Sequence, residues 1–403
     1  MSGSARPTAP RAIVIGSGIG GLTAAVALHQ RGWRTTVLER AQSLEPVGAG
    51  ISLAPNGQRA LDVIGLGDGI RELAAWQGGG GLRNPRGRWL NRVDSAAFVQ
   101  RFGGPLVVIH RATLIDLIAS GLPAGVVRTA SPAELIDPGV PGGQPAVVAV
   151  GDDRIEAELV VAADGIHSSA RQTLFPAHPA PAYSGFTTWR MLVPALEQPQ
   201  EPHETWGPGM LWGTQPLKDG SLYAYAAALA PRGERADDER AELLRRFGGW
   251  HEPVPQIIDA TSPGGVLRSD VHHLIDPLPT FHRGRTALLG DAAHAMTPML
   301  GQGGNQAVED AVVLAHHLAP NGDLGASLTA YSADRQPRTT AIVRKASRVA
   351  RAQSLSSAPA VTVREALLGL VARLGPRVAL RAGDGILDWR PPQRTYADQA
   401  SHG

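Results

Sequence analysis

Short, fully apolar runs alternate with helix-period stretches along most of this chain. A β-branched run at 12–15 precedes a helix-period stretch to residue 30, and a second strand is expected at 35–38. Residues 57–64 read as a helix closed by Gly65, 106–109 as a strand, 112–120 as a helix and 159–162 as a strand. The Gly- and Pro-rich stretch 45–56 reads as one loop, 78–81 as a flexible glycine turn, and 76–102 alternates poorly. Several short β runs lie within 126–161. From 183 to 230 the pattern is β throughout, with runs at 186–193, 210–214 and 222–227 that form a separate antiparallel sheet. Period two places Met210, Trp212 and Thr214 on one face, and Tyr223 with Tyr225 on one face of the partner strand. Whether those faces coincide is left open. Amphipathic helices at 237–247 and 254–260 are expected to pack on this sheet. A strand at 286–289, a helix through Ala307, Ala311, Leu314 and Leu318, and helices at 326–353 and 364–381, the last interrupted by Pro376, complete the pattern. The fold class is α/β (α+β overall), with a parallel sheet, an inserted antiparallel sheet and C-terminal helices.

Composition narrows the function. A chain of 403 residues holds two or three domains of roughly 100 to 200 residues. Apolar residues make up 43%, but no run approaches the roughly 20 needed to cross a membrane, so no span is expected. Residues 1–11 lack an apolar signal core and read as a lead-in to a cytoplasmic protein. Without cysteine there is no disulfide, thiolate catalysis or cysteine metal site. A net charge of +2 gives no argument for a nucleic-acid partner. Lysine occurs only at Lys218 and Lys345, and neither sits in a motif for Schiff-base chemistry. The pairs His272, His273 and His316, His317 have no further ligands at useful spacing, so no metal site is expected. Arg344, Arg348 and Arg351 recur at helical spacing and read as a solvated face, with a membrane-surface role the lesser alternative.

The candidate chemistry lies where strands end. After the first strand, Gly16, Gly18 and Gly21 match GxGxxG: one glycine for the turn, one for close approach of a pyrophosphate, one for packing helix on strand. Glu39 ends the second strand about 20 residues on, placed to hold a ribose hydroxyl pair, and it would repel a 2′-phosphate. Arg111 stands at a strand-to-helix junction, fit either for a ligand phosphate or ribityl oxygen or for plain surface exposure. Asp164 follows the strand at 159–162, and Ser168 is placed to cap the helix after it. Asp291 follows the strand at 286–289, ahead of Pro298, Gly301, Gly303 and Gly304, whose helix start favours negative charge on a bound ring or anion. Taken singly, each also has an ordinary reading as a turn or cap.

Together the three motifs resemble the single-component FAD-dependent monooxygenases of the para-hydroxybenzoate hydroxylase type, including the salicylate-, urate- and 3-hydroxybenzoate-hydroxylating members, over residues 10–345. The resemblance implies FAD held by Gly16, Gly18, Ile19, Gly20, Gly21, Glu39, Arg40, Arg111, Asp164, Asp291, Pro298, Gly301, Gly303, Gly304 and Asn305. The segment ADGIHSSAR corresponds to a motif associated with both FAD and the nicotinamide, so Asp164 and Arg171 inherit that role; His294 is expected to be structural. It further implies a Rossmann-like FAD-binding domain over 8–75, 100–178 and 265–345, a substrate domain over 76–99 and 179–264, and a C-terminal helical segment over 346–403. No second GxGxxG follows a later strand, which fits transient binding of NADH or NADPH. The implied reaction is reduction of FAD, formation of a flavin C4a-hydroperoxide with O2, and hydroxylation of an aromatic or heteroaromatic small molecule, with an indole, quinolone or polyketide intermediate among the candidates. No catalytic base follows from the resemblance; Arg190, Trp212, Tyr223 and Tyr225 are the pocket candidates, Arg190 as anchor for a deprotonated phenol. The alternatives are epoxidation or reduction of an isoprenoid or other alkene and, from another class, a flavin-binding protein without turnover. Flavin halogenation is disfavoured, because no WxWxIP-like segment is present.

Overall fold

The computed structural model describes residues 9–44, 49–76, 80–393, 395 and 396. The main sheet has six strands, in the order His282–Arg283, Thr286–Leu288, Leu159–Ala162, Arg11–Ile15, Arg34–Leu38 and Val127–Arg128. All neighbours run parallel except the first pair. Strands covered on both faces need apolar residues at every position, which is why LVVA and TAL are wholly buried. Helices Ile19–Gln30 and Gly303–His317 pack together against this sheet. Their approach depends on Gly20, where a Cβ would lie 2.7 Å from Leu289 Cδ1 and 3.0 Å from Ala307 Cβ.

A second sheet of seven strands runs Leu267–His273, Ala182–Val193, Leu222–Leu229, Met210–Pro216, His203–Gly207, Gly80–Arg83 and Trp89–Val93. Its neighbours are antiparallel except His203–Gly207 with Gly80–Arg83. Helices Glu239–Phe247 and Val254–Asp259 cover the outer face through a core that includes Trp189, Met191, Trp212, Leu243 and Phe247. Among the described residues no helix is long and apolar enough to cross a membrane.

Several expectations need correction. Within the stretch read as a loop, Gly50–Leu53 is a strand pairing antiparallel with Val107–His110, and the helix begins at Pro55. Proline suits a helix's first position, where its missing N–H has no partner to lose. Of the proposed glycine turn, 78 and 79 lie outside the described residues, while Gly80 and Gly81 belong to a strand. The strand His203–Gly207 was not anticipated. The last helix starts earlier, at Ala358, and breaks at Gly375 between Arg373 and Pro376. Register settles the open question of faces: Trp212 pairs with Ala226, whereas Tyr225 pairs with Gly213 and Tyr223 with Gln215. Trp212 therefore faces away from the tyrosines, with its ring 5.6 Å from Phe247. It is a core residue and leaves the list of pocket candidates.

Candidate active site

The inner face of the seven-stranded sheet and the carboxyl ends of the parallel strands enclose one cavity of about 940 Å³. The glycine turn forms one wall. Gly16 adopts φ +99° and donates its N–H to Leu38 O at 2.8 Å; a Cβ on Gly21 would lie 2.0 Å from Gly16 O, so both glycines are demanded by the protein itself. Gly18 is different. A Cβ there would meet nothing within 4 Å, and the residue lines the cavity. The absence of a side chain at Gly18 leaves room for a ligand, while those at Gly16 and Gly21 serve the turn.

Glu39 directly follows the strand Arg34–Leu38 and is not among the residues that line the cavity. Its carboxylate accepts from Ser17 N at 2.8 Å, Ser17 Oγ at 2.7 Å and Ala41 N at 2.8 Å. Burial alone would raise this carboxyl, but the hydrogen bonds from Ala41 and Ser17 and the nearby charge of Arg40 hold it below the usual range. Arg40 itself is exposed. Asp164 accepts from Ala170 N at 3.1 Å, which anchors the short helix Ser169–Leu174, and its Oδ1 is buried with no protein partner. Ser168 caps that helix through Arg171 N at 2.8 Å, as expected. Arg171 does not reach the cavity. It is 2% exposed, and its guanidinium donates to Ala292 O at 2.9 Å and Ile166 O at 2.7 Å, tying the second motif to the third.

The third motif supplies the opposite wall. Asp291 opens the short helix Asp291–His294 after the strand Thr286–Leu288 and lines the cavity, with Pro298, Gly301, Gly303 and Gly304 along the same lining. Surrounding protein raises the Asp291 carboxyl, against opposing pulls from His294 and Arg111. The first-turn amides of helix Gly303–His317 have no intrahelical acceptors and favour negative charge at that end. Asn305 lies behind the lining: its Oδ1 accepts from Ala54 N at 3.0 Å, and its Nδ2 donates to Ser52 O at 3.1 Å and Gly301 O at 2.8 Å. Its side chain positions the cavity walls and is not free for a ligand. Arg111 lines the cavity, with Nε buried and unpartnered; burial and Arg190 lower its pKa, while Asp291 and Tyr223 oppose the shift.

From the seven-stranded sheet, Arg190, Tyr223 and Tyr225 line the same cavity. Tyr225 donates to Glu204 Oε1 at 2.6 Å, and Trp206 Nε1 donates to Glu204 Oε2 at 2.9 Å. Burial raises both tyrosines; Arg190 and Arg111 partly offset this at Tyr223, while Glu204 adds to it at Tyr225. Both phenols are therefore neutral donors near pH 7.

The family described as FAD binding domain matches residues 10–244 and 268–346. The chain is 38% identical over 363 residues to an aurachin C monooxygenase/isomerase of Stigmatella aurantiaca, covering 89% of this chain and 94% of that protein. It is 34% identical over 357 residues to an FAD-dependent urate hydroxylase of Klebsiella pneumoniae, covering 83% and 88%. This chain belongs to the class A FAD-dependent monooxygenases. Its fold agrees, with a TM-score of 0.84 to Klebsiella pneumoniae HpxO complexed with FAD and uric acid, at 30% identity and covering 94% and 97% of the two chains.

The residues of this monooxygenase fit FAD on its own geometry. The open space at Gly18, the unpartnered Asp164 Oδ1 and Arg111 Nε, and the acid and helix start at Asp291 and Gly303 are features that protein packing leaves without an internal purpose. Sequence reasoning missed Glu204 and a buried charge network beneath the site. Asp310 accepts from Gly290 N at 2.9 Å and contacts His294 Nε2 at 2.6 Å; Arg335 joins Asp310 and Glu309, each at 2.6 Å. Arg338 also pairs with Glu309, at 2.7 Å. His294 is thus tied into this network through Nε2. A third missed feature is the strap 385–389: Arg338 donates to Gly385 O and Ile386 O, Arg59 to Leu387 O and Trp389 O, and Leu387 lines the cavity.

Proposed function

We propose that this monooxygenase uses NADH or NADPH and O2 to place one oxygen atom on an electron-rich aromatic or heteroaromatic ring bearing an ionisable hydroxyl. The observation that carries the reading is Arg190, which enters the cavity beside Tyr223 and Tyr225 with its Nε buried and unpartnered. A guanidinium so placed binds an oxyanion through charge-assisted hydrogen bonds, and an ionised hydroxyl makes its ring more electron-rich. FAD, when bound, supplies the redox chemistry with oxygen. The protein's part is to bind and orient. Gly18, Glu39, Arg111, Asp164 and Asp291 are the residues we assign to holding FAD, with Gly16 and Gly21 shaping the turn that presents it, Ile19, Gly20, Arg40, Pro298, Gly301, Gly303 and Gly304 around them and Asn305 in support. The helix start at Gly303 would favour negative charge on a ring bound beside it, and Tyr223, a neutral phenol in the lining, would be available to donate a hydrogen bond to a bound molecule.

A second reading, oxygen transfer to an alkene-like bond with the product rearranging, is favoured by an apolar wall of Leu82, Val93, Phe98, Val99 and Leu387 that suits a substrate with a hydrocarbon appendage. The test is consumption of NADH and NADPH by the FAD-loaded enzyme, with and without phenols, indoles, quinolones and isoprenoids, with product masses. Acceleration with gain of one oxygen supports the reading. Arg190→Met is expected to weaken binding of the hydroxylated substrate about 10- to 100-fold; unchanged affinity and unchanged coupling of NAD(P)H to product would remove Arg190 from this role.

A further inference from the structure

One row of the seven-stranded sheet carries opposite charges at its two ends. Arg190 pairs across the sheet with Tyr225, Tyr225 with Gly213, and Gly213 with Glu204. Residues directly opposed in antiparallel strands share a face, so Arg190, Tyr225 and Glu204 all point to the cavity that they line. Three strand spacings separate Arg190 from Glu204, about 14 Å between backbones. Two long side chains reaching inward narrow that span to the scale of a fused aromatic ring and its hydrogen bonds.

Tyr225 forms the floor of the gap. Its ring lies across Gly213, where a Cβ would stand 2.1 Å from Tyr225 Cζ, and its hydroxyl crosses to Glu204. Gly213 is thus the position that lets Tyr225 lie flat, presenting a ring face on which a planar substrate stacks. Gln215, next along the cavity face, keeps a buried Oε1 without a partner.

Glu204 is held only by neutral donors. Among the described residues its bonds come from the Tyr225 hydroxyl and the Trp206 indole, both neutral donors. A carboxylate oxygen accepts more than one hydrogen bond, so this acid keeps acceptor capacity toward the cavity. A substrate donor answers it; a substrate carboxylate beside it is repelled.

We propose that the site selects a planar heteroaromatic ring with an oxygen on one edge and an N–H on the opposite edge, the oxygen meeting Arg190 and the N–H donating to Glu204. Aromatic acids whose carboxylate would fall at the Glu204 end are discriminated against. This assignment rests on the reading of the cavity as the site of ring oxygenation, but it concerns binding, and its test needs no turnover.

The experiment titrates the FAD-loaded enzyme with 4-quinolone, 1-methyl-4-quinolone and 4-hydroxybenzoate, reading the perturbation of flavin absorbance and fluorescence. The N–H quinolone is expected to bind about 10- to 100-fold more tightly than its N-methyl analogue, the range of a hydrogen bond to a charged group. Glu204→Gln is expected to collapse that ratio and to improve binding of 4-hydroxybenzoate. A purely steric objection to the methyl group predicts the same ratio in both proteins, so a retained ratio overturns the proposal. Equal binding of both quinolones to the native enzyme, tightest native binding by 4-hydroxybenzoate, or no flavin perturbation by 4-quinolone also overturns it. Should Glu204→Gln fail to load FAD, Glu204→Asp serves instead: withdrawal of the carboxylate by one methylene is expected to shrink the ratio, and an unchanged ratio counts against Glu204. Failure of the oxygenation reading shows separately, as flavin reduction without oxygen gain by any compound.

Discussion

Replacing Arg335 with methionine tests whether buried charge holds the floor of the site together. Arg335 is 1% exposed and bonds two fully buried carboxylates, Glu309 and Asp310, each at 2.6 Å. Methionine retains much of the apolar length, so the main loss is charge. Removing one member of a buried ion pair costs about 3–5 kcal/mol, because the partner is left uncompensated. Neither acid is left bare here, since Arg338 still reaches Glu309 at 2.7 Å and His294 still reaches Asp310 at 2.6 Å. The low end, about 3 kcal/mol, is therefore expected. Urea unfolding of the FAD-free protein at pH 7.5, followed by tryptophan fluorescence, measures it. Arg348→Met, exposed on the same helix, is the control and should stay within about 0.5 kcal/mol of the native chain. Acid supplies a second arm. Burial alone would raise the Asp310 carboxyl, but His294, Arg335 and the Gly290 N–H hold it well below the usual range. Such a group adds stability that is present above its unfolded pKa of about 3.9 and lost as pH falls through the lower folded value. Without Arg335 the carboxyl protonates at higher pH, so the gap between native and variant should narrow on acidification. A variant as stable as the Arg348→Met control, or a gap that does not change with pH, would refute the account.

Three other outcomes follow from the site. Gly18→Val should fold normally yet lose more than about tenfold in FAD affinity by fluorescence titration, whereas Gly21→Val, forced against Gly16 O, should lose about 3 kcal/mol or more of stability; native FAD binding by Gly18→Val would show that the open space is not a ligand's. The surrounding protein raises the Asp291 carboxyl, against His294 and Arg111, so it favours the folded state while protonated and loses that advantage as pH rises through its folded value; because the side chain is exposed to the cavity, solvent screening keeps the effect small. FAD-free Asp291→Asn should therefore melt above the native protein at pH 8, by a margin that shrinks toward pH 4; a margin independent of pH would exclude charge as its source. Trp212→Ala should cost about 3–5 kcal/mol of stability while leaving the substrate KM unchanged, and a changed KM in a stable variant would return Trp212 to the pocket.

What was legible in the sequence was local. The strands at 12–15, 159–162 and 286–288 are buried on both faces, so their apolar runs needed no partner to be recognised, and the glycine spacing carries its own geometry. Gly80–Arg83 and His203–Gly207 each form a local hairpin, but GGLR and HETWG carry little strand signal of their own, and the pairing that joins the two spans more than a hundred residues. Register, not composition, decided that Trp212 turns away while Glu204 turns in. The buried network was equally hidden: Arg335 lies 25 residues beyond Asp310, a separation without any local pattern. Arg171 shows the limit of motif matching, since its place in the motif was right and its guanidinium serves the backbone.

The strap at 385–389 fixes the order in which this enzyme becomes competent. Gly18 and Leu387 line one cavity, although most of the chain lies between them. At about 5–20 residues per second, a ribosome needs roughly 20 to 70 s to travel from one to the other. The third motif supplies the wall facing the glycine turn before the strap is made, but throughout that interval the apolar wall of Val93, Phe98 and Val99 lacks Leu387. Arg59 and Arg338 then fasten the last wall through main-chain carbonyls, so closure depends on the path of the backbone more than on the side chains it carries. Closure of the cavity is accordingly a late event in the life of the molecule, and a nascent chain halted before residue 385 would hold all three motifs without the strap that completes the apolar wall.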